Sequence, residues 1–468
     1  MLFNSIEYLI FLPIVFIIYW LLKNNYKNQN ILLLISSYVF YGWWDYRFIS
    51  LIIFSSFLDY FVGQKIEDAL DKNKKRWLYV SLLSNLGLLG VFKYYNFFAD
   101  SFATTMSTIG WEVNSLTLNI ILPVGISFYT FQTLSYSIDI YRKEIKASRD
   151  IVAFFTFVSL FPQLVAGPIE RASNLIPQIE KKRNLNVTLI KTGIFQIFIG
   201  LFRKVAIADN LGIYVDSVYG NYEIHNGSTL LVATIFYAFQ IYFDFSGYSD
   251  IAIGSAKLFG FNFNRNFNFP YFSRTLTEFW RRWHMSLSFW LRDYLYISLG
   301  GNRKGIVITY RNLLLTMLIG GLWHGSSWNF VIWGGIHGLF LSLEKYTFSA
   351  LKIKTFNALG YIYTFIVVLI AWVFFRAPDF HSASTILSEI ISFNYGSLFI
   401  GNINTFINAI LLLALGFVID LKIFRTNIPL EDYGVKFSML KLSIIVSLII
   451  LLLCLFYSTA ENFIYFQF

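Results

Sequence analysis

The sequence predicts an all-α, polytopic membrane protein, and three observations carry that prediction. Hydrophobic residues fill 56% of 468 positions and charged ones 14%, with a mean hydropathy of +0.57, more apolar than a soluble domain needs. Continuous apolar runs of helix length recur at 7–22, 77–97, 229–243, 357–375 and 440–457. Over such a run, only a helix satisfies its own backbone inside hydrocarbon. The short alternating strands of an outer-membrane barrel are missing from these runs. The chain, 1–468, reads as one integral domain.

The first run, EYLIFLPIVFIIYWLL, lacks a basic leader and ends in Lys23 with no small-residue cleavage pattern. It reads as an uncleaved first span, with the mature chain starting at Met1. The single cysteine, Cys454, excludes an intrachain disulfide and a multi-thiolate metal site, and its apolar setting, LLLCLFYS, predicts a packing role. The net charge of +10 comes from basic residues at the ends of apolar segments. That distribution sets topology and does not describe a nucleic-acid surface.

Loop charge then orients the chain. The segments 64–76, 141–150 and the stretch around 181–183 are basic, whereas 99–119 and 208–228 contain no Lys or Arg. The first group is predicted inside and the second outside, which puts the N-terminus outside and the basic stretch 264–311 inside. Lys352 and Lys354 fall inside by the same rule. The apolar segment 312–345 must therefore enter and leave by one face, as a two-span hairpin or a re-entrant element. Glycines 320, 321, 325, 334 and 335 suit such a break.

Within that segment, GGLWHGSSWNFVIWGGIHG (320–338) carries His324 and His337. On a straight helix these rings would point about 220° apart and lie about 20 Å from each other, too far to line one small site. An imidazole in hydrocarbon marks either a pathway or an interhelical packing bond, and His324 fits both readings. His284 lies in SRTLTEFWRRWHMSLSFWLRDYLYISLGGNRKG (273–305), where Trp280, His284, Leu287 and Leu291 fall at helical spacing. This predicts an interfacial amphipathic helix that points one imidazole inward, with Arg281, Arg282 and Arg292 elsewhere around it.

Asp244 and Asp250, in YFDFSGYSDIAIG, stand about 120° apart on a helix and do not form an acid/base pair. Asp244 either orients an imidazole or accepts a hydrogen bond from a neighbouring helix, and the second is favoured. FPQLVAGPIERASNLIP (161–177) reads as a broken, loop-like segment at the membrane boundary. No nucleophile elbow, phosphate-binding glycine loop or H-E-x-x-H occurs.

Together, RRWHMSLSFWLRDYLYISLGGNRKG, GGLWHGSSWNFVIWGGIHG, YFDFSGYSDIAIG, LPVGISFYTFQTLSYSIDIYR (122–142) and FPQLVAGPIER strongly resemble the membrane-bound O-acyltransferase family, in its bacterial alginate O-acetyltransferase-like branch. The likeness runs to about residue 345 and weakens over 346–468. It implies a multi-helix fold around a central funnel, with His324 as catalytic histidine and His284 as a second active-site or donor-channel residue. His337 receives no role. It also implies an acyl group taken from a cytoplasmic thioester and delivered outward, hence a multi-pass protein of the bacterial cytoplasmic (inner) membrane.

Moving an acyl group from a thioester to a hydroxyl needs a base and oxyanion donors. An imidazole supplies the first without a metal or bound cofactor. Asn329, Ser326 and backbone N–H groups are candidates for the second. Arg281, Arg282, Arg303 or Lys304 can attract the phosphates of a co-substrate such as acetyl-CoA, and Asp244 completes the substrate-binding candidates.

The leading functional expectation is acetylation of a cell-surface polysaccharide, alginate-like or peptidoglycan, with a secreted or periplasmic SGNH-type acetyltransferase as partner. D-alanyl transfer from a carrier protein to teichoic acid is the alternative within the enzyme class. A lipid-linked sugar transporter lacks support, because inverted repeats and paired intramembrane carboxylates are not found. His324 argues against an inactive scaffold. The charge bias makes a direct prediction in a Cys454→Ser background: an impermeant thiol reagent labels Ser107→Cys in intact cells and spares Lys74→Cys. The opposite labelling would invert the topology.

Overall fold

The computed structural model describes residues 1–114, 116–165, 167–351, 358–392, 395–457 and 463–466; Lys352 and Lys354 lie outside the described residues. The protein is helical throughout, with no strand among the described residues. Among the described residues, five helical stretches are long and apolar enough to cross a membrane: Tyr26–Asp68, Gly227–Leu258, Ile306–His324, Leu359–Arg376 and Ile403–Thr426. The chain divides into two compact units, Met1–Asn186 with Phe259–Phe263, and Val187–Leu258 with Asn264–Phe468.

The first unit starts with α1 (Ile6–Leu21), α2 (Tyr26–Asp45) and α3 (Ile49–Asp68), followed by α4 (Asp71–Leu89), α5 (Tyr95–Thr108) and α6 (Ile126–Tyr141). Ser5 and Asn25 cap α1 and α2 by accepting from backbone N–H groups of the first turn. The Met1 amine donates to the Phe40 carbonyl (2.8 Å) and Gln29 to the Tyr19 carbonyl (3.0 Å), so α1 and α2 run antiparallel. The chain reverses again at Tyr46–Phe48. A buried carboxylate ties three helices: Asp59 of α3 accepts from Ser81 and Asn85 of α4 and Ser137 of α6.

Charge separates along this unit as the loops predict. Arg149 pairs with Glu67 and Asp68, Ser148 donates to Glu180, and Arg183 donates to Asn30, which gathers the basic segments at one end. At the other end, the Tyr41 hydroxyl donates to the Val124 carbonyl and Asn96 to the Leu118 carbonyl, near the N-terminus and the stretch without cations. The segment 161–177 is broken as expected, but it is packed inside the unit and is not a boundary loop: after α7 (Ile151–Ser159) come α8 (Phe161–Leu164) and α9 (Ala172–Ile179), with 167–171 between them non-helical and Phe161, Leu164, Leu175 and Ile179 buried. Pro162 is tolerated because it sits in a first turn, whose N–H groups have no helical partner.

The second unit is built on α10 (Val187–Leu201) and the 32-residue α12 (Gly227–Leu258), with a π-helical turn at Phe202–Ala208 and α11 (Asp209–Tyr219) between them. Glycine meets glycine along the α10–α12 contact: a Cβ on Gly200 would lie 2.5 Å from the Gly247 carbonyl, and one on Gly254 2.6 Å from that of Gly193. Small residues allow this approach, and dispersion between close backbones holds it.

The single amphipathic helix expected through His284 is also corrected. The chain forms α13 (Leu276–Trp280), a turn, α14 (Met285–Trp290) and a π-helical turn over Leu291–Tyr296. Glu344 fixes the start of α13 by accepting from the Leu276 and Thr277 N–H groups at 2.7 and 3.1 Å.

The hairpin expectation for 312–345 takes the form of α15 (Ile306–His324) and α16 (Trp328–Leu351). A Cβ on Gly321 would lie 2.1 Å from the Phe330 carbonyl, and one on Gly334 2.1 Å from that of Met317, so two glycines set the spacing of the helices. The unit continues with α17 (Leu359–Arg376), α18 (Phe380–Ile391), α19 (Ile403–Thr426), α20 (Leu430–Tyr433) and α21 (Met439–Leu455). Cys454 lies exposed on α21, not packed inside the protein as its apolar setting suggested.

The hairpin geometry predicts a contrast between adjacent positions. Gly334→Ala drives a methyl into the Met317 carbonyl and costs about 1–3 kcal/mol. Gly335→Ala meets only Leu318 at 3.5 Å and is neutral or stabilising. Thermal unfolding of the detergent-extracted protein separates the two; equal midpoints would refute the close contact.

Candidate active site

Two imidazoles meet inside the second unit. His324 is the last residue of α15, 3% exposed, and His284 is fully buried. Their ring centroids lie 6.2 Å apart. His284 adopts φ 39° and ψ 55°, a left-handed conformation that costs a non-glycine residue about 1–2 kcal/mol. Asn266 holds it there: its carbonyl accepts from the Met285 N–H (2.8 Å), and its side-chain oxygen accepts from the Ser286 N–H and hydroxyl (3.3 and 2.9 Å). The Asn266 amide in turn donates to Ser249 of α12 (3.0 Å). A strained residue kept by a buried hydrogen-bonded frame is a signature of a functional position.

His324 and His337 are closer neighbours than a straight helix allows. The chain turns at Gly325–Ser327, so the two residues sit on facing helices. Each packs edge-on against Trp333 at 4.9 Å. The separation of about 20 Å expected from a straight helix is thereby corrected. His337 belongs to a tryptophan cage: its Nδ1 accepts from Trp280 Nε1 at 3.3 Å, and the Trp280 centroid lies 5.1 Å away.

A third proton-bearing ring, overlooked in the sequence, completes the cluster. Tyr465 lies 5.6 Å from His324 and 6.4 Å from His284 between ring centroids. Among the described residues it is the one tyrosine ring in contact with both imidazoles. The main-chain N–H of Ile464 donates to Asp244 at 2.8 Å, and Phe463 stacks on Tyr248 at 4.3 Å. The only sequence signal was the aromatic run FIYF after the last long apolar segment.

Asp244 therefore anchors the segment that carries Tyr465, and it is itself held by a buried ion-pair network. Lys204 bridges Asp209 (2.7 Å) and Asp244 (2.6 Å), all 2% exposed at their side chains. The preceding residue, Arg203, bridges Asp250 (2.6 Å) and Asp420 (2.5 Å). The angular separation of Asp244 and Asp250 thus serves two adjacent cations.

The other candidates have other partners or face outward. Asn329 is buried, but its amide donates to the Ala377 carbonyl at 3.0 Å, and Ser326 is exposed. Arg281, Arg303 and Lys304 are exposed, while Arg282 pairs with Glu278 at 2.8 Å. The ion-pair network yields a stability prediction. Lys204→Met leaves Asp209 and Asp244 buried without their cation and costs about 3–5 kcal/mol. A lowered unfolding midpoint is expected, and an unchanged one would show that the pair carries no net stability.

Comparison with known proteins matches residues 141–379, about half of the chain, to MBOAT, the membrane-bound O-acyltransferase family. The chain is 44% identical to a probable alginate O-acetylase AlgI of Pseudomonas syringae pv. tomato, over 84% of this chain and 76% of that protein. It is 39% identical to a peptidoglycan O-acetyltransferase of Helicobacter pylori, over 83% and 79%. Similarity to a teichoic acid D-alanyltransferase of Bacillus subtilis is lower, 27% over 49% of this chain and 60% of that protein.

Proposed function

Because the chain belongs to the membrane-bound O-acyltransferase family and is a multi-pass membrane O-acyltransferase, we propose that it carries an acetyl group from a cytosolic thioester to a cell-surface polysaccharide through His324 and His284. The observation that carries this reading is the meeting of the two buried imidazoles beside Tyr465. An imidazole nitrogen of His324 takes the proton of the attacking hydroxyl. The oxygen then bonds to the thioester carbonyl carbon, the C–S bond breaks, and the proton passes to the leaving sulfur. His284, fixed by Asn266, orients the donor. The Tyr465 phenol supplies a further hydroxyl next to both rings.

Within the enzyme class, acetyl is favoured over D-alanyl by the relatives whose names specify O-acetylation, which align over four-fifths of this chain or more. Their named substrates, alginate and peptidoglycan, support a polysaccharide acceptor outside the cytoplasmic membrane. A secreted SGNH-type acetyltransferase would take the acyl group on to that polymer. Acetyl-CoA is the simplest donor, and basic loops gathered at one end of the first unit support a cytosolic approach.

His324→Ala is expected to lower surface-polymer ester content by about 10²–10⁴-fold at matched membrane abundance. His284→Ala and Tyr465→Phe lower it less, and His337→Ala retains transfer per folded molecule. Normal ester levels in His324→Ala would reject its assignment as the base. In inside-out vesicles, transfer from radiolabelled acetyl-CoA supports the acetyl reading. Transfer only from a D-alanylated carrier protein replaces it.

A further inference from the structure

Three cations converge on one short segment of the second unit. Arg265 holds the Glu431 carboxylate in a two-pronged grip, Nε to Oε1 at 2.7 Å and Nη2 to Oε2 at 2.8 Å. Lys257, 6% exposed at the end of α12, donates from Nζ to the Glu431 main-chain carbonyl at 2.7 Å. Lys191 donates to the carbonyls of Val435 and Phe437 at 3.1 and 2.8 Å. The segment 430–437, which contains α20, is thus strapped down by side chains from α10, α12 and the stretch after α12.

Behind the strap lies a cavity of about 10 Å³, room for a single water. Arg265 and Glu431 form its rim, and Asn266, Ser249 and Asp250 form its inner wall. Asn266 is the residue whose carbonyl and amide oxygen hold Met285 and Ser286, next to His284. The cavity therefore lies between a half-buried arginine–carboxylate pair and Asn266, the residue that frames His284. Arg265, Asn266, Phe267 and Phe269 of its lining belong to the stretch 264–311 that charge bias places in the cytosol.

We propose that Arg265 and Lys257 form the site for a phosphate of the pantetheine thioester donor, and that Glu431 occupies this site as an internal latch until the donor arrives. This rests on the thioester reading given under Proposed function. The geometry of the pair is the argument: a guanidinium fork that fits a carboxylate fits a phosphate equally well. Exchange of one anion for another leaves no cation uncompensated in a half-buried place. Release of Glu431 also frees the 430–437 strap from Arg265, opening the water-sized cavity toward Asn266 and His284.

The test is the concentration dependence of acetyl transfer in inside-out vesicles carrying the full chain, with radiolabelled acetyl-CoA as donor. Removing a charge-assisted bond to the donor, Arg265→Gln is expected to raise KM about tenfold with kcat retained. Glu431→Gln, which weakens the competitor, lowers KM about threefold. The exchange Arg265→Glu with Glu431→Arg keeps the ion pair and the strap but removes the cation from position 265, so KM stays raised. If the single variants do not accumulate, the exchanged pair carries the test.

A wild-type KM in the exchanged pair would overturn the proposal and leave the pair as a structural strap. Transfer from an acetylated carrier protein, and not from acetyl-CoA, moves the phosphate to the carrier's phosphopantetheine, with the same variants read against carrier concentration. No His324-dependent transfer from either donor rejects the thioester reading, and the phosphate site with it.

Discussion

Two adjacent cations, Arg203 and Lys204, face four carboxylates inside the second unit, and much else follows from where that places the helices. A buried charge without a partner is prohibitively costly, so each carboxylate fixes its helix to the π-helical turn. Asp244 and Asp250 fix α12, Asp209 fixes α11, and Asp420 fixes α19. The π-helical turn itself matters, since it shifts the register by a residue and lets consecutive side chains reach different partners. Asp244 then has a second oxygen left to hold the Ile464 N–H, which brings Tyr465 to the imidazoles. The ring cluster is thus held by buried ion pairs that do not themselves touch the imidazoles.

Close backbone packing supplies the other half of the support. Glycine pairs let α10 meet α12 and α15 meet α16 at distances no side chain would allow. The first contact sets α12, which carries Asp244 and Ser249; the second sets His324 against Trp333. Hydrocarbon offers no hydrophobic drive between helices, so such contacts and the buried ion pairs have to provide the affinity. His284 stands on an additional frame, Asn266, because a left-handed residue does not hold itself.

The helical class, the basic ends and the α15–α16 hairpin were legible because each is a one-dimensional pattern: apolar length, loop charge and glycine at a break. His324 was legible as an imidazole within an apolar segment and His284 as one pointing inward from an interfacial segment, both in a recognisable set of motifs. Periodicity failed at His284, where a local turn interrupts an apparently amphipathic pattern, since long-range hydrogen bonds to Asn266 and Glu344 override helical propensity. Tyr465 was not legible, because nothing local to FIYF shows that Asp244, 220 positions earlier, binds the backbone of its neighbour. The pairing of Asp244 with Lys204, and its part in holding the site, likewise depended on a long-range contact. Arg281, Arg303 and Lys304 read as donor cations from sequence proximity to His284, and the structure leaves them exposed.

The position of Tyr465 has a consequence for synthesis. His324 and Tyr465 stand roughly 140 residues apart, and at about 5–20 residues per second the ribosome needs roughly ten seconds or more to pass from one to the other. During that interval the imidazoles exist in the nascent chain without the ring that packs against both. The ring cluster is completed only after α19 and α21 have been made, when Asp420 has met Arg203 and Ile464 has reached Asp244. Assembly of the ring cluster therefore waits for the last residues to be made, and a chain interrupted before residue 463 lacks the phenol even where its earlier helices are in place.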